Sequence, residues 1–141
     1  MMQKMKMMII MRRDLKMRKG KIAAQAGHAC VEVIMKALKL KKQLYDYDEL
    51  SDSIVFKNNE LNNMSLSHWF QNGCAKVCVY VDSEAELLDI DRMAKDKNIL
   101  SVIITDAGMT EFHGKPTKTC LVLEPLTYDT ADELTGHLKL Y

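Results

Sequence analysis

A mixed α/β domain, with a four-stranded sheet layered between helices, is the fold class this sequence predicts, and three observations predict it. Met7–Met11 is an apolar run that leaves through a charged loop into a helical pattern. Lys76–Asp82 alternates as a strand and meets Ser83, with Glu86 three residues later, the capping-box spacing that opens a helix. Ser101–Thr105 carries Val-Ile-Ile-Thr, a β-branched run typical of a strand buried on both faces.

Taken in order, Met7–Met11 is the first strand, Gly20 marks its exit loop, and a helix covers about 21 to 42. Residues 43 to 67 change character, with Tyr45, Tyr47, acidic residues and the pairs Asn58-Asn59 and Asn62-Asn63. They predict a short helix or lid between polar turns, within a variable insertion at about 39–67. The second strand places Val77, Val79 and Val81 on one side, and the helix after Ser83 has Leu87, Leu88, Ile90 and Met93 at core spacing. Ser101–Thr105 is the third strand, Asp106–Pro116 a loop, and Thr119–Leu123 the fourth strand, which Pro125 ends. Thr130–Leu138 supplies a last amphipathic helix. Strands alternating with helices imply a mixed sheet covered on both faces, a three-layer α/β/α arrangement.

A length of 141 residues with 48% hydrophobic content is one domain's worth, residues 1–141, able to bury a core without disulfides or metal. Cys30, Cys74, Cys78 and Cys120 form no CxxC pair and no secretory leader is read, so reduced thiols in a cytoplasmic protein are expected. No segment approaches the ~20 apolar residues of a membrane span. GxGxxG, GxxxxGK[ST] and GxSxG are all missing, which leaves a dinucleotide site, an ATP site and a nucleophile elbow without support.

The net charge of +1 conceals an asymmetry, because residues 1–21 hold eight Lys or Arg against the single Asp14. Arg12, Arg13, Lys16, Arg18, Lys19 and Lys21 crowd one strand-to-helix junction. Side-chain charge, free backbone N–H groups and the helix dipole act there in the same sense, which suits the phosphates of a polyanion. On the helix that follows, Lys21, Gln25 and His28 fall on one stripe, because side chains three and four residues apart are neighbours. In open α/β sheets ligands sit beyond the strand ends, and Asp14–Lys21 and Asp106–Pro116 are the two loops placed to meet one. Asp106 also has a plainer reading as the cap of its own Asp-Ala-Gly turn, and His28 as a packing histidine.

Three stretches together carry a family resemblance: Arg13-Asp14-Leu15-Lys16-Met17 leading into Lys19-Gly20-Lys21-Ile22-Ala23-Ala24-Gln25 and His28; Asp106-Ala107-Gly108 with Thr110; and the terminal Leu134-Thr135-Gly136-His137-Leu138-Lys139-Leu140-Tyr141. The chain resembles the peptidyl-tRNA hydrolases of the archaeal and eukaryotic type over its length apart from residues 39–67. The resemblance implies a four-stranded mixed sheet, commonly a homodimer, and cleavage of the ester joining a peptide to the terminal ribose of tRNA, with no cofactor and no metal. By position it implies Lys21, Gln25, Asp106 and Thr110 as the active-site group with His28 close by, and peptidyl-tRNA as the partner. Ester hydrolysis asks for a positioned water, stabilisation of the carbonyl oxygen as it becomes anionic, and a proton for the leaving hydroxyl. Arg12, Arg13, Lys16, Arg18 and Lys19 are the candidate RNA contacts.

The departures are charged. Met109 and Glu111 stand where the family usually has Arg and Gln, and Glu124 where it has Gly, adding a negative charge near the mouth of the site if that loop lies close. They support a second reading, a non-catalytic diverged relative that binds RNA or a protein partner.

Overall fold

The structure, a computed structural model, describes residues 4–40, 45–48, 53–56, 64–108 and 111–141. In chain order the elements are β1 (Met5–Arg12), α1 (Lys19–Leu40), β2 (Tyr45–Asp48), β3 (Ser53–Phe56), α2 (Met64–Gln71), β4 (Lys76–Val81), α3 (Glu84–Asp96), β5 (Ser101–Asp106), β6 (Thr117–Leu123), β7 (Leu126–Thr127) and α4 (Tyr128–Thr135). The main sheet runs β4-β1-β6-β5, and the two-residue β7 pairs with the start of β1. Its four long strands are those expected from the sequence.

Strand β1 lies parallel to β4 and antiparallel to β6, and β6 is antiparallel to β5. Strands β4, β1 and β5 therefore point the same way. Their carboxyl ends, Val81, Arg12 and Asp106, share one edge of the sheet, where β6 begins at Thr117. That edge is where an open α/β sheet places its ligands.

Strand alternation sorts the core into two layers. Met5, Met7, Ile9 and Met11 of β1 pack with Ala29 and Val33 of α1 and with Trp69 of α2. Met8 and Ile10 face the other way, against Leu87, Ile90 and Ala94 of α3 and Ala131 and Leu134 of α4. The result is the expected three layers. Ser83 caps α3 by accepting from the Glu86 N–H at 3.1 Å, while the Glu86 carboxylate accepts from the Asp82 N–H at 2.8 Å, one residue earlier than in the usual box.

Two expectations change. The described part of the 43–67 segment holds an antiparallel pair that was not expected, with Tyr45 opposite Phe56 and Tyr47 opposite Ile54, and its end opens the short helix α2. The alternation of Tyr45 and Tyr47 with Asp46 and Asp48 is a period-two pattern, which the polar composition of the neighbouring sequence obscured. Strand β5 lies at the sheet edge; Val102 and Ile104 are buried on the α1 side, while Ile103 is half-buried and Thr105 exposed. The other edge is covered by the tail, since the Tyr80 N–H donates to the Lys139 carbonyl and the Tyr141 N–H to that of Cys78.

Candidate active site

Asp106 closes β5, and Lys21 sits in the first turn of α1. The Lys21 ammonium donates to Asp106 Oδ1 at 2.6 Å, and the Gly108 N–H donates to Oδ2 at 2.8 Å. One carboxylate thus closes its own turn and also grips α1. The Lys21 hydrogen bond is the main cause that holds the Asp106 carboxyl below the usual carboxylate range, with the Gly108 N–H and the lysine charge acting in the same sense against desolvation. Phe112 lies under the ammonium, 5.9 Å from nitrogen to ring centre.

The turn after Asp106 needs glycine. Gly108 has φ +82°, and a Cβ there would lie 2.2 Å from the Lys115 carbonyl oxygen. The Gly114 N–H donates to the Gly108 carbonyl at 2.8 Å, so the loop closes on itself and holds Asp106 in place.

One turn along α1 from Lys21, Gln25 is buried and its Oε1 accepts from the Thr119 hydroxyl at 2.6 Å. Cys120 Sγ, beside it, lies 3.9 Å from the Gln25 carbonyl oxygen. Thr119 is fully buried and did not stand out in the sequence, where it reads as an ordinary residue at the start of a strand. The structure turns His28 away: its ring is half exposed and bonds the Glu32 carboxylate one turn on, at 3.0 Å, rather than joining Lys21 and Asp106. Thr110 and Met109 lie outside the described residues.

The cations divide into two groups. Arg12 is bound by Asp14 through both oxygens, at 2.6 and 3.1 Å, and donates to the Lys118 carbonyl at 3.1 Å. Arg13 forks onto Asp82 with two 3.0 Å hydrogen bonds and stacks 3.8 Å over the Tyr80 ring. Arg18 is 91% exposed, and Lys16 and Lys19 are exposed with no ion-pair partner among the described residues. Glu111 lies at the head of α1, where it accepts from the Arg18 N–H at 3.4 Å and is 4.0 Å from Arg18 Nε.

Glu124 is not at the mouth of this site. It follows the far end of β6, where it is buried and accepts from the Leu100 N–H at 2.6 Å. From Thr117, which faces Asp106, to Leu123 the strand rises about 20 Å. Only pairing direction decides which end of β6 meets Asp106, and that is absent from the local sequence.

Among the described residues no cluster of three or more His, Cys, Asp or Glu could hold a metal ion. No helix among them is long and apolar enough to cross a membrane.

The family model described as peptidyl-tRNA hydrolase PTH2 matches residues 5–141. The chain is 37% identical over 135 residues to a probable peptidyl-tRNA hydrolase 2 of Drosophila melanogaster, which covers 96% of this chain and 61% of that longer one. It is 35% identical over 136 residues to the peptidyl-tRNA hydrolase of Methanocaldococcus jannaschii, covering 96% and 99% of the two chains. The corresponding protein of Saccharolobus solfataricus is 36% identical over 135 residues, covering 96% and 98%. Among solved structures, a protein of unknown function from Agrobacterium tumefaciens, Atu0240, superposes with a TM-score of 0.55 over 97% of each chain at 10% identity, a likeness of fold alone. Whole-length agreement with the archaeal proteins, and a family match that takes in both α1 and the Asp106 turn, lead to one conclusion: the chain belongs to the PTH2 family of peptidyl-tRNA hydrolases.

Proposed function

We propose that this chain hydrolyses the ester between a peptide and the terminal ribose of tRNA, freeing the tRNA, with Lys21, Gln25 and Asp106 as the reacting group's surroundings. The observation that carries the reading is the 2.6 Å contact between Lys21 and Asp106, which brings together residues 85 apart at the ligand-binding edge of the sheet. That edge, beyond the carboxyl ends of the strands, is where open α/β sheets bind their ligands.

Water adds to the ester carbonyl, and the oxyanion then collapses to expel the ribose hydroxyl, leaving a peptide carboxylate and a free tRNA end. Asp106 stays ionised well into acid, so it serves as a hydrogen-bond acceptor that orients the water and anchors Lys21; a carboxylate of lowered proton affinity is a weak base. Lys21 supplies positive charge where the oxyanion develops. Thr110, four residues beyond Asp106, belongs to this proposal on its place in the sequence alone.

Lys16, Arg18 and Lys19 are the RNA contacts, being exposed at the head of α1 beside this pair. Arg12 and Arg13 hold the loop that presents them. A homodimer and a cytoplasmic location complete the reading, with light scattering and cell fractionation as their tests.

The deciding experiment is hydrolysis of N-acetyl-aminoacyl-tRNA by the purified chain in EDTA, with Asp106→Asn and unblocked aminoacyl-tRNA as controls. Cleavage of the blocked substrate alone, lost in the variant, establishes the reading. Binding of tRNA without cleavage replaces it with a non-catalytic relative, in which Glu111 beside Arg18 marks the loss.

A further inference from the structure

Strand β6 contains an irregularity that aims a side chain into the site. Ile104 of β5 pairs with Cys120, yet the next residue, Thr105, pairs with Lys118, so Thr119 is an extra residue with no partner on β5. Along β6, Leu123 and Leu121 face α3 and α4, whereas Val122 and Cys120 face α1. Strict alternation would send Thr119 toward α3. The bulge resets the alternation instead. Lys118 takes the α3 side, 3.4 Å from Glu84, and Thr119 shares the α1 side with Cys120. The Lys118 carbonyl at the bulge is met by Arg12, itself held by Asp14.

A hydroxyl has one proton to give. For Thr119 the nearer acceptor is Gln25 Oε1 at 2.6 Å, against the Ile104 carbonyl at 3.3 Å. That donation fixes which way the carboxamide lies: its oxygen toward β6, its NH2 away. Gln25 is only 8% exposed, and among the described residues its Nε2 donates to nothing. A buried amide donor left unmet is costly, and native proteins keep few of them. The donor lies one helical turn from Lys21, so an oxygen that gains negative charge in the reaction is the partner it fits.

We infer that Thr119 is a positioning residue, turned into the site by the β6 bulge, which locks the Gln25 amide with its N–H groups toward the ester carbonyl, where they help to bind the oxyanion. This rests on the hydrolase reading above. The bulge is the device, and Arg12 is its support.

Steady-state hydrolysis of N-acetyl-aminoacyl-tRNA tests it on the full chain. Thr119→Val, which keeps shape and removes the proton, lowers kcat by ~10- to 100-fold and leaves KM within about twofold, and Thr119→Ser restores most of the rate. Gln25→Ala loses a similar factor, and the double variant loses no more than the worse single, because both remove one donor. Full kcat in Thr119→Val, failure of Thr119→Ser to restore it, or losses that multiply would overturn the inference. Should Thr119→Val fail to fold by circular dichroism, Gln25→Glu decides: it keeps the acceptor for Thr119 but has no N–H, so kcat must fall, and a wild-type kcat rejects the donor role. An inactive wild type overturns the hydrolase reading and this with it; an active Thr119→Val overturns this alone.

Discussion

Lys21 Nζ lies 2.6 Å from Asp106 Oδ1, and the two side chains are only 16% and 13% exposed. The contact ties the first turn of α1 to the end of β5 while leaving both groups at a sheet edge open to a ligand. A pair this sheltered is strongly coupled, and removing one member costs the other this contact.

Asp106→Asn is expected to lower kcat by ~10²- to 10⁴-fold, the range for losing a positioned acid–base or electrostatic group. Affinity for deacylated tRNA should stay within a few-fold. Single-turnover cleavage and filter binding measure the two separately, and equal loss of both would make the residue structural. The melting temperature should also fall by several degrees, since Lys21 loses its carboxylate.

The depressed pKa of Asp106 sets a pH window. Its contribution to stability is fully present above the unfolded carboxylate value of about 4 and is lost as pH falls through the lower folded value. The gap in melting temperature between wild type and Asp106→Asn should therefore be flat from pH 8 to 5 and narrow only below about pH 4. Thermal unfolding across that range checks it; a gap that already closes between pH 7 and 5 contradicts the assignment.

Replacing Lys16, Arg18 and Lys19 together with Gln should weaken tRNA binding and reduce the slope of log K against log salt by about two to three. Arg12→Gln should behave differently. It removes the bracket between Asp14 and the Lys118 carbonyl, so thermal stability falls while the salt slope barely moves. An unchanged slope in the triple variant would place the RNA on another face.

Glu111 puts a carboxylate at the head of α1, 4.0 Å from Arg18 Nε. Glu111→Gln should tighten tRNA binding by roughly three- to tenfold at low salt, with the advantage fading as salt rises. Titration at two ionic strengths would show it, and no gain at low salt would mean that RNA phosphates stay clear of this carboxylate.

Gly108→Ala should destabilise the chain by ~2–4 kcal/mol, because a Cβ meets the Lys115 carbonyl at 2.2 Å and the residue must keep φ +82°. Denaturant unfolding gives the stability, and a larger loss in kcat than in tRNA affinity would show the Asp106 turn displaced. Wild-type stability would mean that the loop has room to yield.

Local pattern determined much of this protein. The apolar run of β1, the charged junction, the stripe of Lys21 and Gln25 and the Ser83 cap all follow from side-chain periodicity and nearby backbone hydrogen bonds. The plainer reading of Asp106, as the cap of its own turn, holds at Oδ2, while Oδ1 takes Lys21 from far along the chain. What only the tertiary structure decided depends on partners far along the chain. Strand direction sent Glu124 to the opposite end of β6, Asp82 and Asp14 claimed Arg13 and Arg12, and Glu32 drew His28 outward. Thr119 is the clearest case. A β strand shows alternate residues to alternate faces, and one extra residue inverts that rule, but the bulge exists only in the mismatch between β6 and β5.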